Sequence, residues 1–276
     1  GAVDFALGTD TGGSVRLPAS FCGIIGIRTT HGRIPAEGIV PLAPSFDTVG
    51  WFARDLSTMA RVASALGIED APGTMAEPTL MMPRDLWALA TPEVRAALEP
   101  SRRALCDVFG AADESPVDED GLDTWREMFR ICQAAEVWAA HGAWVTATRP
   151  TFGEDVAGRF SMASRITPEE AEAARAARES IADRLRTTLG DTGLLAIPTS
   201  PAPAPLRTDG PQELDIFRSR ALALLCPAGL AGLPQVSLPV ATVDGAPVGL
   251  SLVGPRDSDG TLLELAAQVI AALPDT

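Results

Sequence analysis

Lysine and tyrosine are absent from this 276-residue sequence, and histidine occurs only twice. All 22 basic side chains are therefore arginines. An arginine stays protonated at physiological pH and cannot act as a general base. A reaction that needs a lysine or tyrosine base cannot be completed by these residues alone.

Cysteine is also scarce, and its spacing excludes a familiar metal site. Cys22, Cys106, Cys132 and Cys226 lie far apart, and no CxxC pair occurs. Isolated thiols fit a reducing compartment, where we expect them as small buried side chains. No apolar run has membrane-spanning length, and the N-terminus lacks the features of a signal peptide. The sequence therefore predicts a cytoplasmic protein without a bound metal.

Positive charge is in deficit as well. The net charge of −14 repels phosphate backbones and anionic lipids, so nucleic acid and membrane surfaces are poor candidate partners. Apolar residues make up 46% of the chain, which predicts a folded protein with a sizeable core. Strand-like and helical segments alternate without a linker or repeat. We therefore expect a single α/β domain over residues 1–276, with a mixed β-sheet sandwiched by helices.

Local patterns predict individual elements. The apolar run 2-AVDFAL-7 predicts a buried strand that the glycines of 8-GTDTGG-13 end. A helix is expected over 213–225, and segments 234–241 and 246–254 read as the two strands of a hairpin. Three residues are predicted helix N-caps: Asp55, Thr91 and Thr167.

The segment 8-GTDTGGSVRLPASFCG-23 contains a candidate nucleophile, Ser14. Successive backbone N–H groups precede it, and glycines let such a backbone turn sharply toward a ligand. Beside a serine hydroxyl, these N–H groups would stabilise the oxyanion of an acyl-transfer intermediate. The alternative is a glycine turn with a capping serine, because the segment lacks the G-x-S-x-G pattern.

A nucleophilic serine needs a base, and the two histidines are poorly placed to be one. His31 lies in the turn-like segment 29-TTHGRIP-35, and His141 is expected to end a helix next to Gly142. Both positions fit a loop or capping histidine better than a member of a Ser-His-Asp triad. The residues alone leave Ser14 without a base.

The segment 8-GTDTGGSVRLPASFCGIIGIRTTHGRI-34 resembles the signature of the amidase signature family of serine hydrolases. Segments 45–55 and 217–225 are most similar to the plant amidase 1 branch of that family, which hydrolyses indole-3-acetamide. The resemblance implies the amidase signature fold and an amidase that needs no cofactor. Further segments similar to the family are 38–55, 196–205, 228–241 and 247–254.

The resemblance also implies a Ser–cis-Ser–Lys mechanism in which Ser14 is the nucleophile. The implied oxyanion hole consists of the backbone amides of Thr11, Gly12, Gly13 and Ser14. Apart from the resemblance, we expect Asp10 and Arg16 to be structural and to hold the loop near the site through hydrogen bonds and ion pairing. The proline-rich loop 198–205, which begins with Pro198 and Thr199, is a candidate wall of the substrate pocket; the alternative is that its prolines only end a strand.

The cis-serine and the lysine of the family precede the part of it that this chain matches. The resemblance therefore implies that a missing N-terminal segment supplies both, and that this chain alone is incomplete. The other expected partners are a small-molecule amide and, because family members often dimerise, a second copy of the chain.

Two other functions compete with an amidase. One is an A-type subunit of a glutamine-dependent tRNA amidotransferase, against which the negative charge and the amidase 1-like segments argue. The other is a non-catalytic interaction protein with the same fold, similar to relatives of amidase 1 in chloroplast import. The absence of lysine favours that alternative, and the presence of Ser14 disfavours it.

Overall fold

A computed structural model describes residues 1–118 and 121–273. Its strands are β1 (Phe5–Asp10), β2 (Ile25–Arg28), β3 (Thr48–Ala53), β4 (Thr79–Met81), β5 (Gly193–Pro198), β6 (Gln235–Val243) and β7 (Ala246–Val253). They form one sheet in the order β1-β3-β2-β6-β7-β5-β4. The pair β4–β5 is parallel and the other neighbouring pairs are antiparallel, so the predicted mixed sheet is confirmed.

Helices cover both faces of this sheet. They are α1 (Arg16–Cys22), α2 (Leu56–Ala65), α3 (Arg84–Trp87), α4 (Pro92–Ala97), α5 (Glu99–Phe109), α6 (Asp123–Thr148), α7 (Glu154–Ala163), α8 (Pro168–Leu189), α9 (Pro211–Ala231) and α10 (Asp259–Ala272). One apolar cluster includes side chains of α2, α4, α5 and α10, and a second includes side chains of α6, α8 and α9. Residues of β5 alternate between the two clusters, as the pleat of a strand requires. The helical sandwich is therefore confirmed.

Capping and turn chemistry determine several element boundaries as expected. Asp55 and Thr91 each accept a hydrogen bond from the backbone N–H three residues later, and Thr167 forms a complete capping box. The turn between β6 and β7 has left-handed φ values of 50° at Asp244 and 79° at Gly245. These values are typical of a two-residue hairpin.

The first strand differs from its prediction. β1 continues through Gly8 to Asp10, and it is an edge strand rather than a buried one. Phe5 and Leu7 share one face of β1 and are 46% and 58% exposed, and Val3, just before the strand, is 65% exposed. Apolar composition suggested burial here, but within the described residues no strand pairs with the outer edge of β1.

Other expectations also need correction. Cys132 and Cys226 are buried as predicted, but Cys22 and Cys106 are exposed. The helix expected over 213–225 is the longer α9, which contains Pro227 in its buried half.

No helix in the described parts of the chain is both long and apolar enough to cross a membrane.

Close packing of α1 on the sheet positions the candidate nucleophile. A Cβ atom on Gly26 of β2 would lie 2.6 Å from the Cβ of Ala19, and one on Gly249 of β7 would lie 3.0 Å from Ser20 Oγ. Only glycine lets the helix approach both strands this closely. The turn between β1 and α1, which carries Ser14, is therefore held against the body of the protein.

Candidate active site

Ser14 lies in the turn between the end of β1 and the start of α1, and its side chain is exposed. No other described residue forms a hydrogen bond with its hydroxyl. The hydroxyl is therefore accessible to a small molecule, as a nucleophile must be.

The shape of this turn depends on Asp10, the last residue of β1. Its carboxylate is completely buried and accepts the backbone N–H groups of Gly13 at 2.9 Å, Val15 at 3.1 Å and Arg16 at 3.3 Å. Three amides that flank Ser14 are thus fixed by one side chain. These contacts fit the structural role predicted for Asp10.

Two buried arginines surround the same carboxylate. The Asp10 Oδ1 atom lies 2.8 Å from Arg16 Nη2 and 3.2 Å from Arg28 Nη1. Arg16 also donates to the carbonyl oxygen of Leu225 at 2.8 Å, and Arg28 donates to that of Phe46 at 2.8 Å. The two guanidinium groups therefore connect the turn to distant parts of the chain.

The electrostatics of this cluster favour negative charge near the turn. Burial alone would raise the pKa of Asp10, but the positive charges of Arg16 and Arg28 and the hydrogen bonds outweigh it and hold that pKa well below its usual range. Burial lowers the pKa of Arg28 to about 10, so it remains a cation at neutral pH. Two cations thus face one carboxylate beneath the turn, which leaves a net positive charge in this cluster.

Only part of the predicted oxyanion hole is free of other hydrogen bonds. The N–H of Gly13 is bound to Asp10, whereas those of Gly12 and Ser14 donate to no other described residue. The hydroxyl of Thr11 donates to Asp47, whose carboxylate also accepts the N–H of Leu42 at 2.8 Å. The Gly13 N–H therefore helps to shape the turn and is not available as a donor to a substrate.

Gly13 could not be replaced by a larger residue in this backbone. Its φ is +121°, which side-chain-bearing residues rarely adopt, and a Cβ atom would lie 2.5 Å from Leu225 Cδ1. Leu225 is itself buried, so it has little room to move. The glycine requirement at this position has both a conformational and a steric cause.

The rings of both histidines contact backbone carbonyl groups of the loop before β3, and neither contacts Ser14. His31 Nε2 is 2.9 Å from the carbonyl oxygen of Pro44, and His141 Nε2 is 2.6 Å from that of Pro41. Over residues 1–118 and 121–273, no hydrogen bond joins either histidine to Ser14. The expectation that neither histidine pairs with Ser14 agrees with these contacts, but His141 lies within α6, seven residues before its last residue, and is not a loop or capping histidine.

The two residues expected in a substrate wall, Pro198 and Thr199, are both buried. The hydroxyl of Thr199 is 3.0 Å from that of Ser237 and 2.8 Å from that of Ser251. The Thr199 hydroxyl therefore belongs to a cluster of hydroxyl groups inside the sheet, and the substrate wall stays a prediction. The proline content of this segment predicted a rigid loop but could not predict that its first residues are buried in the protein.

Sequence reasoning missed several residues around the turn. Phe129 and Gln133 of α6 both lie against Gly12, while Arg28 donates to the Asp10 carboxylate and to the carbonyl oxygen of Thr11. The spacing of Phe129 and Gln133 predicts a shared helix face but cannot say what that face contacts. Among the described residues, no group of histidine, cysteine and carboxylate side chains could hold a metal ion.

The family model described as "Amidase" matches residues 1–105 and 123–263. The chain belongs to the amidase family. The confirmed fold and the segment around Ser14 agree with this membership.

Relatives with different names resemble the chain. "Amidase 1" of Arabidopsis thaliana is 35% identical over 98% of this chain and 70% of its own length. "Outer envelope protein 64, chloroplastic" of the same organism is 27% identical over 99% of this chain and 51% of its own length. A solved structure described as an amidase is 28% identical with a TM-score of 0.85, and the match covers 98% of this chain. The chain spans 63% of the length of that solved amidase chain.

Proposed function

We propose that this amidase family member hydrolyses a small carboxamide to the acid and ammonia, with Ser14 as the nucleophile. The observation that carries the proposal is an exposed serine hydroxyl on a turn whose neighbouring amides are fixed by the buried Asp10 carboxylate. The unoccupied N–H groups of Gly12 and Ser14 and the buried arginines support acyl-transfer chemistry there. Similarity to plant amidase 1 supports an amide substrate.

In the proposed reaction, Ser14 Oγ attacks the carbonyl carbon while its proton passes through a cis-serine to a neutral lysine. The negative charge on the carbonyl oxygen is stabilised by the backbone N–H groups of Gly12 and Ser14. The C–N bond then breaks, the nitrogen takes the proton back, and ammonia leaves. Water attacks the resulting Ser14 ester, which releases the acid and restores the serine.

In this proposal the lysine comes from outside these 276 residues, because the sequence contains no lysine, and the cis-serine comes with it, as the family resemblance implies. We propose that the polypeptide which supplies them pairs with the outer edge of β1. That edge is open, and Phe5 and Leu7 expose an uncovered apolar face beside it. An unpaired edge of this kind is a ready template for another strand.

The test is covalent labelling of the full-length protein with a fluorophosphonate, in which Ser14 Oγ displaces fluoride from phosphorus. We expect labelling of the wild type and of Ser180→Ala, which removes an exposed hydroxyl of α8, but none of Ser14→Ala. Ammonia release from indole-3-acetamide, from other small carboxamides and from glutamine then identifies the substrate class. Labelling that persists in Ser14→Ala would refute the assignment of the nucleophile.

A non-catalytic role is the second candidate, and two observations favour it. No base for Ser14 is found among the described residues, and outer envelope protein 64 has a similar sequence. If the full-length wild type neither labels at Ser14 nor releases ammonia from any of these amides, the interaction role is the better explanation.

A further inference from the structure

A glutamine side chain lies beside the turn that carries Ser14. Gln133 and Phe129 are one helical turn apart on α6, and both face Gly12. The Gln133 Nε2 atom is 3.6 Å from the position that a Cβ atom on Gly12 would occupy, and the Phe129 ring is 3.4 Å from it. The side-chain amide of Gln133 therefore adjoins the same backbone that offers the free N–H groups of the site.

This amide is not engaged by the protein. Gln133 is partly buried, yet no hydrogen bond links it to any residue that the structure describes. By contrast, the side chains of Thr11 and Arg16 at the same turn are paired, since Thr11 donates to Asp47 and Arg16 donates to Asp10. An unpaired, partly buried amide keeps its donors available for a bound molecule.

The donor set of the turn also has a gap that Gln133 can fill, because the N–H of Gly13 is bound to Asp10. We propose that Gln133 Nε2 donates to the substrate carbonyl oxygen as a side-chain member of the oxyanion hole. This inference rests on Ser14 being the nucleophile. As the Ser14 Oγ–carbon bond forms, the carbonyl π electrons move onto the oxygen, and the Nε2–H group stabilises that charge together with the backbone N–H groups.

The amide of Gln133 suits this role because it is neutral. It donates without adding a further cation to the buried pair of arginines, and its Nε2 atom already points at Gly12. A carboxylate in the same place would repel the oxyanion. Gln133 is thus a catalytic residue of the proposed site, with an effect specific to the charged intermediate.

The test uses the full-length protein and three substitutions. Gln133→Met removes the donor at similar length, Gln133→Glu keeps the shape but adds a negative charge, and Gln268→Met alters an exposed glutamine of α10 as the matched control. We expect kcat to fall on the order of 10²-fold in Gln133→Met, and further in Gln133→Glu, with little change in KM. Inhibition by a boronic acid, whose adduct with serine is an anionic tetrahedral boronate that resembles the charged intermediate, should weaken in parallel. Gln268→Met should match the wild type.

Several outcomes would overturn the role of Gln133 and leave the proposed function intact. One is a Gln133→Met or Gln133→Glu protein that is folded and retains kcat within about twofold of the wild type. Another is a rise in KM at unchanged kcat, which would indicate ground-state binding only. Absence of labelling at Ser14 in the wild type would instead overturn the proposed function, and this inference with it.

Discussion

At the scale of single residues, one buried carboxylate determines the geometry of the candidate site. Asp10 fixes three backbone amides around Ser14 and neutralises part of the charge of Arg16 and Arg28. All three charged side chains are fully buried. Removal of one partner from such a group leaves charge in a medium that solvates it poorly.

Replacement of Asp10 by asparagine should therefore destabilise the protein strongly. We expect Asp10→Asn to lower the free energy of unfolding at pH 7 by about 3–5 kcal/mol, because both arginines lose their buried counterion. Asp191→Asn changes an exposed loop carboxylate and should have an effect within about 0.5 kcal/mol. Urea denaturation of the three proteins measures the difference.

The stabilisation that Asp10 provides should decrease at acidic pH. The pKa of Asp10 in the folded state lies below the ordinary value of 3.8, so its stabilising contribution is fully present above pH 3.8. The contribution is lost as the pH falls from 3.8 toward the lower pKa of the folded state. The stability difference between the wild type and Asp10→Asn should accordingly narrow below pH 3.8. A difference that stays constant down to pH 3 would contradict the assigned pKa direction.

At the scale of elements, helices α6 and α8 hold the loop that supports the turn. Arg178 of α8 donates to the carbonyl oxygen of Ser45 at 2.9 Å and to that of Leu230 at 3.2 Å. Its guanidinium carbon lies 3.8 Å from the ring centroid of Phe46. Glu136 of α6 accepts the backbone N–H of Ser45 at 2.8 Å. This loop continues into Asp47, whose carboxylate accepts a hydrogen bond from the hydroxyl of Thr11 in the turn that carries Ser14.

Loss of the Arg178 contacts should loosen the loop and weaken the site. We expect Arg178→Met to lower the free energy of unfolding by about 1–3 kcal/mol, because two carbonyl oxygens lose a charged donor. Labelling of Ser14 should also slow. Arg175→Met, one turn earlier on α8, breaks only an exposed pair with Glu172 and should change stability by less than about 1 kcal/mol. Equal effects of the two substitutions in thermal unfolding would refute the supporting role of Arg178.

The sequence predicted elements well where local chemistry determines them. The caps at Asp55 and Thr167 and the hairpin at Asp244 depend on neighbouring residues, so they could be read directly. β3 was missed because 47-DTVGWFARD-55 lacks a clear alternation and leads into a helix. The short α3 and the exposed α7 also have weak patterns.

The candidate site was predictable only in part for a related reason. Ser14 and its glycines form a contiguous motif, and the sequence alone identified them. The proximity of Gln133, Arg28 and Leu225 to this motif depends on long-range packing, which no local pattern encodes. The occupation of the Gly13 N–H by Asp10 likewise depends on the folded path of the turn.

At the scale of the whole molecule, the open edge of β1 is a site where chains can associate. An exposed apolar edge strand promotes association between chains, and a charged side chain on such an edge opposes it. We expect the isolated 276-residue chain to self-associate, and Phe5→Lys combined with Leu7→Lys to suppress this. Ile216→Lys changes an equally exposed apolar residue on α9 and should not. Light scattering coupled to size-exclusion chromatography measures the difference.

Two results of that experiment would be decisive. A monodisperse, cooperatively melting monomer of the unmodified chain would contradict the predicted association. A defined dimer that persists after both edge substitutions would support the expected homodimer through a surface other than β1.

The absence of lysine makes the same edge addressable by amine-specific reagents. Because these 276 residues contain no lysine, Phe5→Lys alone would place a side-chain amine on β1 and nowhere else among them. A succinimidyl ester would therefore attach a dye or cross-linker to a single side chain of this part of the protein, at the edge of the sheet. Every cross-link formed in this way would report on whatever approaches β1.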